Sequence, residues 1–351
     1  MCIVTLHGCV YVSTRVRLCA CSSCVITSLS ASSSAPFQEV LKQARGTLES
    51  EMNESGAQLL ARLEARRSLK DIEPRLFPDG GGPESGEVVE LFGTEGTGKT
   101  ELLYHLLCRC VLPEAAGGLQ VDVVFVDTDY SLDMLRLVSV LDGRLNAGDA
   151  TRLSLRTPRF PWTGEPQQGR TRVSECLCLC PDEEALSSCL SRLLVVHCSS
   201  SSQLLLTLHF LETSLSARPG LSLLLIDSIS AFYWPDRSAG GASVTKQEET
   251  LTKCSELLGR LLRDYRVTVF TSCHPIRRSG AGSSSDWDRP FLCRSWQRLV
   301  THRLLCSRQE AAGGAGEQRR RQVFSVHCNS FKTKTQRSSC FTVTDGGVQF
   351  L

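Results

Sequence analysis

The stretch Gly93, Thr94, Glu95, Gly96, Thr97, Gly98, Lys99, Thr100 constrains the fold of this chain more than any other. It satisfies the spacing G-x-x-x-x-G-K-[ST], follows the apolar run 88–92 and opens a helical pattern over residues 100–112. Strand, glycine loop and helix in that order make a phosphate cradle. The glycines let backbone N–H groups curl around phosphate oxygens, and the helix N-terminus adds partial positive charge. Lys99 is expected to reach the β and γ phosphates of a nucleoside triphosphate, and the Thr100 hydroxyl to ligate Mg²⁺. A glycine turn that merely caps a strand is the bland alternative, and the flanking strand and helix argue against it.

Around the loop, strand and helix patterns alternate. Apolar runs at 88–92, 121–126, 193–196, 221–226 and 267–271 read as buried strands. Helical spacing appears in Leu102, Leu103, Leu106, Leu107, Cys110 and Val111, in Leu132, Leu135, Val138 and Leu141, and in Leu251, Cys254, Leu258, Leu261 and Tyr265. Single helices between strands imply right-handed crossovers and a mostly parallel sheet covered on both faces. After Trp296 shorter strands with glycine turns predict an antiparallel C-terminal edge. The expected class is α/β, a core of the P-loop NTPase kind. The strand at 221–226 ends in Asp227, a carboxylate delivered to the sheet's C-terminal edge, where it would contact Mg²⁺. No Asn-Lys-x-Asp guanine-recognition sequence occurs, which favours ATP.

The remaining organisation is less regular. Residues 1–50 read as an N-terminal extension without a convincing period, apart from a short helix around 37–44. Residues 51–82 read as a linker: Ser55 and Gln58 fit a capping box before Leu59, Leu60 and Leu63, and Gly80, Gly81 and Gly82 make a hinge. The core is expected from 83 to 351, interrupted by a patternless insertion at 151–181 and a Gly/Ala/Arg-rich flexible tip at 310–322. An unstructured loop as long as the first is uncommon inside a compact domain. It reads as a surface insertion or as translated intron.

Charge is nearly balanced, with 39 basic against 37 acidic residues, so any nucleic-acid contact must come from one loop or face. The 18 cysteines show no secreted disulfide framework. Cys108, Cys110, Cys198 and Cys254 lie in apolar segments as small hydrophobes, and Cys21 with Cys24 lacks the second pair a zinc site needs. No run reaches the roughly 18–20 apolar residues of a membrane span. The first acidic residue is Glu39, with Arg15, Arg17 and many serines before it. That composition fits a mitochondrial transit peptide, and equally a disordered tail or an over-extended gene model, the readings preferred here.

Several segments resemble one family. Leu223-Leu-Leu-Ile-Asp-Ser-Ile-Ser-Ala-Phe-Tyr233 and Val124-Phe-Val-Asp-Thr-Asp129 are similar to strands of RecA-type strand-exchange recombinases, and the helix 245–265 with the strand 267–271 matches the next unit. Residues 55–64, 95–105, 127–130 and 228–234 tie the chain to the eukaryotic recombinase paralogues. The resemblance implies a nuclear subunit of a hetero-oligomeric paralogue complex. Its role would lie in homologous-recombination repair of double-strand breaks and crosslinks, assisting recombinase filaments on single-stranded or branched DNA. The helix at 55–63 would dock on a neighbouring paralogue, or else be an ordinary solvated linker.

Two departures bear on activity. The family places a water-positioning glutamate where Asp129 stands, one methylene longer, and a misplacement of about 1 Å costs roughly a hundredfold in rate. It also ends its next strand in a γ-phosphate-sensing amide, where this chain has Ser272-Cys273-His274. His274 could donate in its place or simply face solvent. Weak or absent ATPase activity in a scaffold is the preferred reading; a DNA-stimulated ATPase with strand-exchange activity is the alternative. A small-molecule kinase lacks such support. The family's DNA-facing loops would correspond to residues 234–244, with Arg237, and 275–294, with Arg277, Arg278, Arg289, Arg294 and Trp287.

Overall fold

A computed structural model describes residues 2–6, 9–13, 56, 66–77, 82–154, 183–241, 243–275, 292–309 and 322–351. Outside them lie the short helix at 37–44, all of the helix at 55–63 but Gly56, Cys21 and Cys24, and Gly80 and Gly81. Most of the 151–181 insertion and of the 310–322 tip also lies outside, together with Arg277, Arg278, Trp287 and Arg289.

Among the described residues the elements run β1 (Cys2–Leu6), β2 (Cys9–Ser13), β3 (Val88–Phe92), α1 (Lys99–Val111), β4 (Asp122–Asp127) and α2 (Met134–Ser154). They continue with α3 (Glu183–Ser191), β5 (Leu193–His197), α4 (Ser201–Ala217), β6 (Leu221–Asp227), α5 (Tyr233–Ala239), α6 (Val244–Tyr265) and β7 (Thr268–Cys273). Then come α7 (Arg294–Leu299), β8 (Val300–Arg308), β9 (Val323–Ser330), β10 (Gln336–Thr344) and β11 (Gly347–Phe350). The strands β1 and β2 form a separate antiparallel hairpin, an element without an amphipathic period to announce it.

The other strands make one sheet in the order β11-β10-β9-β8-β3-β7-β6-β4-β5. From β8 to β5 every pairing is parallel, and β9, β10 and β11 add antiparallel strands. The expected α/β class and antiparallel C-terminal edge are both present. The antiparallel part begins one strand later than the position after Trp296 suggests, because α7 returns the chain for β8 to lie parallel to β3.

Alternation along the strands divides the core in two. On one face Val89, Leu91, Val123, Phe125, Leu223, Leu225 and Phe270 meet α1, α2 and α3. On the other, Val88, Val124, Val126, Leu224, Ile226 and Val269 meet α4, α6 and α7. A parallel sheet buried on both faces reads as continuous apolar runs, which is why these strands stand out in the sequence. Ser200 caps α4 by accepting from the Gln203 amide at 3.2 Å, and Gln203 reaches back to the Ser199 amide at 2.7 Å.

The apolar spacing read for α2 is right at Leu141, which is buried, and at Leu132, which packs partly buried against the core just before the helix, but not at Leu135: the 3.6-residue period turns Leu137 and Val140 inward beside Leu141 and leaves Leu135 83% exposed. This helix also runs through Ser154, into the stretch read as patternless. Ahead of the expected boundary at residue 83, further side chains pack against this core. Leu69, Ile72, Leu76 and Phe77 are buried, with Phe77 edge-on to Phe270 and His302. Arg66 donates to the Leu215 carbonyl at 2.6 Å and also to that of Leu221.

Candidate nucleotide site

Three parallel strands deliver the site to one edge of the sheet. β3 runs into the loop 93–100, β6 ends at Asp227, and β7, between them, ends at Cys273. The loop takes its shape from glycine. Gly96 and Gly98 have φ of 69° and 81°, where side chains are strained. A Cβ on Gly98 would also strike the Phe341 ring, and one on Gly93 would strike the Cys306 carbonyl and the Thr97 hydroxyl. Thr97 closes the turn by donating to the Thr94 carbonyl at 2.8 Å.

Lys99 and Thr100 open α1. The Lys99 ammonium, only 5% exposed, donates to the carbonyls of Gly93 at 2.8 Å and Thr94 at 2.7 Å. Burial lowers its pKa from the ordinary value, with nearby groups including Asp227 opposing the shift. A buried cation whose acceptors are only loop carbonyls suits an anion at the loop mouth. Thr100 Oγ1 donates to Asp227 Oδ2 at 3.0 Å, joining residues 127 positions apart. Ser272 donates to the other carboxylate oxygen of Asp227. Thr100 and Asp227 thus present adjoining oxygens, the chemistry a hard cation such as Mg²⁺ takes. Loop, lysine and oxygen pair together fit a triphosphate with its metal.

Behind them a second polar layer fixes β4 to β6. The Asp227–Ser228 peptide is cis. Thr128 Oγ1 donates to the Ser228 carbonyl at 2.8 Å and accepts from its amide at 2.6 Å. Asp129 Oδ2 accepts from Ser228 Oγ at 3.0 Å and lies 3.8 Å from His274 Nε2. Burial raises the Asp129 pKa, and the Ser228 hydrogen bond and His274 oppose it. The His274 side chain stays 37% exposed at the strand end. Its amide donates to Ser230 Oγ at 2.9 Å, its ring turns toward Asp129, and burial followed by the charge of Lys99 lowers its pKa. Asp127 carries no role in the sequence reading, yet it accepts from the amides of Ser131 and Leu132 at 3.1 and 3.3 Å and stands 3.2 Å from His197 Nδ1.

The residues expected to meet DNA are only partly in view. The stretch after Asp227 is not an open loop: Arg237 lies on the short helix α5, donating to Tyr233 Oη at 2.6 Å, its guanidinium 5.8 Å from the Tyr233 and Trp234 rings. Arg294 opens α7. The sequence reading missed Ser272, the Thr128–Ser228 clasp and Phe341 beneath Gly98. A strand-end serine carries no signal of its own, because its partner is fixed only when β6 and β7 pair.

The Rad51 family model matches residues 75–151, which contain the loop, α1 and β4. DNA repair protein XRCC2 of Mus musculus is 43% identical over 309 residues, covering 85% of this chain and 97% of the mouse protein. The XRCC2 homolog of Arabidopsis thaliana is 26% identical over 300 residues, 72% of this chain and 76% of the plant protein. DNA repair protein RAD51 homolog 4 of Bos taurus is 28% identical over 243 residues, 67% of this chain and 59% of that protein. With a relative this similar aligned across most of its length, and with the strand, loop and helix of the site inside the matched region, the chain belongs to the Rad51 family of RecA-like proteins.

Proposed function

We propose that the chain is a DNA-repair subunit of the homologous-recombination machinery that holds ATP with Mg²⁺ and acts mainly as a scaffold. One observation carries the nucleotide assignment: the 3.0 Å bond between Thr100 and Asp227, which brings a hydroxyl and a carboxylate together at the mouth of a glycine loop. Gly93, Thr94, Glu95, Gly96, Thr97 and Gly98 would surround the phosphates with backbone N–H groups, Lys99 would pair with them, and Thr100 and Asp227 would hold the metal. Bound Mg²⁺ would offset the phosphate charge. Asp129 would be the carboxylate that orients a water, and its bond to Ser228 with its short side chain supports slow turnover or none.

The names of the relatives support a role in DNA repair; on this reading the chain works in the nucleus, alongside other recombinase paralogues in a hetero-oligomer. Contact with single-stranded or branched DNA is assigned to the complex, with Arg237, Arg277 and Arg278 as this chain's contribution. No described helix is long and apolar enough to cross a membrane. Purified chain, alone and with its paralogue partners, is to be assayed for ATP turnover with and without single-stranded DNA. The scaffold reading expects turnover near background that DNA does not raise. Robust DNA-stimulated turnover abolished by Lys99→Ala would overturn it in favour of an active recombinase-like ATPase.

A further inference from the structure

Residues 66–77 are fastened to the phosphate-loop helix through a buried chain of charged and polar groups. His105, on α1, is 5% exposed, and its Nε2 lies 2.7 Å from Oε2 of Glu73, which is 2% exposed. On the other side of the ring, Nδ1 lies 2.7 Å from Arg144 Nη2 on α2. Glu73 also accepts from Arg75 Nε at 2.9 Å. Arg75 stands 4.5 Å from the centre of the Phe350 ring, which meets His105 edge-on at 5.5 Å. One turn along α1, Arg109 donates to the Ile72 carbonyl at 2.9 Å.

The two neighbours decide the state of the imidazole. A guanidinium has donors and no acceptor, so the Nδ1 facing Arg144 must carry a lone pair. An ionised carboxylate only accepts, so the Nε2 facing Glu73 must carry the hydrogen. A neutral ring in the Nε2–H tautomer satisfies both contacts, and a protonated ring would turn an N–H toward a cation.

We infer that the Glu73–His105–Arg144 chain is a proton-operated latch, closed around neutral pH, that holds residues 66–77 on the phosphate-loop helix and releases them in mild acid. The charged groups facing His105 are Glu73 with Arg75 from the segment itself, Arg109 from its own helix and Arg144 from α2; β11 contributes the uncharged Phe350. One carboxylate is set against three cations before any proton arrives. Burial, Arg144 and Arg109 lower the His105 pKa, and Glu73 opposes them. A group whose folded pKa is depressed stabilises the fold above its ordinary value, 6.5 here, and that contribution is lost as pH falls below it. The segment lies within the stretch 51–82 read as a linker, so the latch sets how firmly that part of the linker is held on the core.

The test uses the full-length chain. Histidine labelled with ¹⁵N reports the tautomer: at pH 7.5 His105 is to show Nε2 protonated and Nδ1 bare. Hydrogen exchange then follows the Ile72 and Leu76 amides, which bond to the carbonyls of Leu69 and Glu73. Between pH 7.5 and 5.5, after correction for intrinsic rates, their protection is to fall severalfold relative to Val123–Phe125 in β4, up to the roughly tenfold that a single proton on a group of ordinary pKa 6.5 allows. In His105→Gln, whose amide donates and accepts without taking a proton, the fall is to vanish. A protonated Nδ1 at pH 7.5, unchanged wild-type protection, or the same fall in His105→Gln would each overturn the latch. If His105→Gln does not fold, Arg144→Gln removes the opposing cation and is to shrink the fall; an undiminished fall there refutes the proposal.

Discussion

Gly98 carries two demands at once, a φ of 81° and a Phe341 ring pressed against the place a Cβ would occupy. Gly117 has a similar φ of 77° but open space around it. Gly98→Ala is therefore expected to cost about 2–4 kcal/mol, and Gly117→Ala about 1 kcal/mol, in urea unfolding. Equal losses would mean that the ring gives way and that backbone conformation alone matters. Glu90 is a second informative position. It is buried in the central strand β3, accepting from Trp296 Nε1 at 2.8 Å and from Arg303 Nε at 2.6 Å. Removing the cation by Arg303→Leu strands a carboxylate with one donor, and the expected loss is about 3–5 kcal/mol. By contrast Lys253→Ala, which breaks an exposed pair with Glu249, is expected to leave the urea midpoint unmoved.

At the level of elements, α2 separates what a pattern states from what packing decides. Leu141 is 0% exposed and Leu135 is 83% exposed, although both fall on the helical spacing read from the sequence. Leu141→Ala is expected to destabilise by about 2–5 kcal/mol, and Leu135→Ala by no more than about 0.5 kcal/mol; reversal of that order would restore the original face. The strands and the phosphate loop were readable because each announces itself locally, by a continuous apolar run or by a glycine spacing that chemistry requires. Residues 66–77 were not, because their order comes from distant partners. Phe77 finds Phe270 and His302, and Arg66 finds the carbonyl of Leu215. The segment has no period of its own. Ser272 and Ser228 were hidden for the same reason, since each acts only on a strand brought beside it.

For the whole molecule, the site's geometry makes a claim about folding as well as binding. Loop, Asp227 and Ser272 come from three strands, β3, β6 and β7, so a ligand that bridges them ties the centre of the sheet together. A ligand that binds only the folded chain stabilises it by about 2.7 kcal/mol at one hundred times its Kd, which for a chain of this size is a rise in Tm of several degrees. Mg²⁺ with ATP is expected to give that rise. Chelating the metal should remove most of it, because Thr100 and Asp227 then lose the cation through which they would reach the phosphates. Lys99→Ala should abolish it while leaving the Tm without nucleotide within a few degrees of the parent chain. These outcomes are independent of hydrolysis, so they separate holding a nucleotide from turning it over. A wild-type chain that shows no shift with saturating Mg²⁺ and ATP, or a Lys99→Ala chain that keeps the full shift, would remove the nucleotide from the scaffold and leave the loop as a relic of the fold.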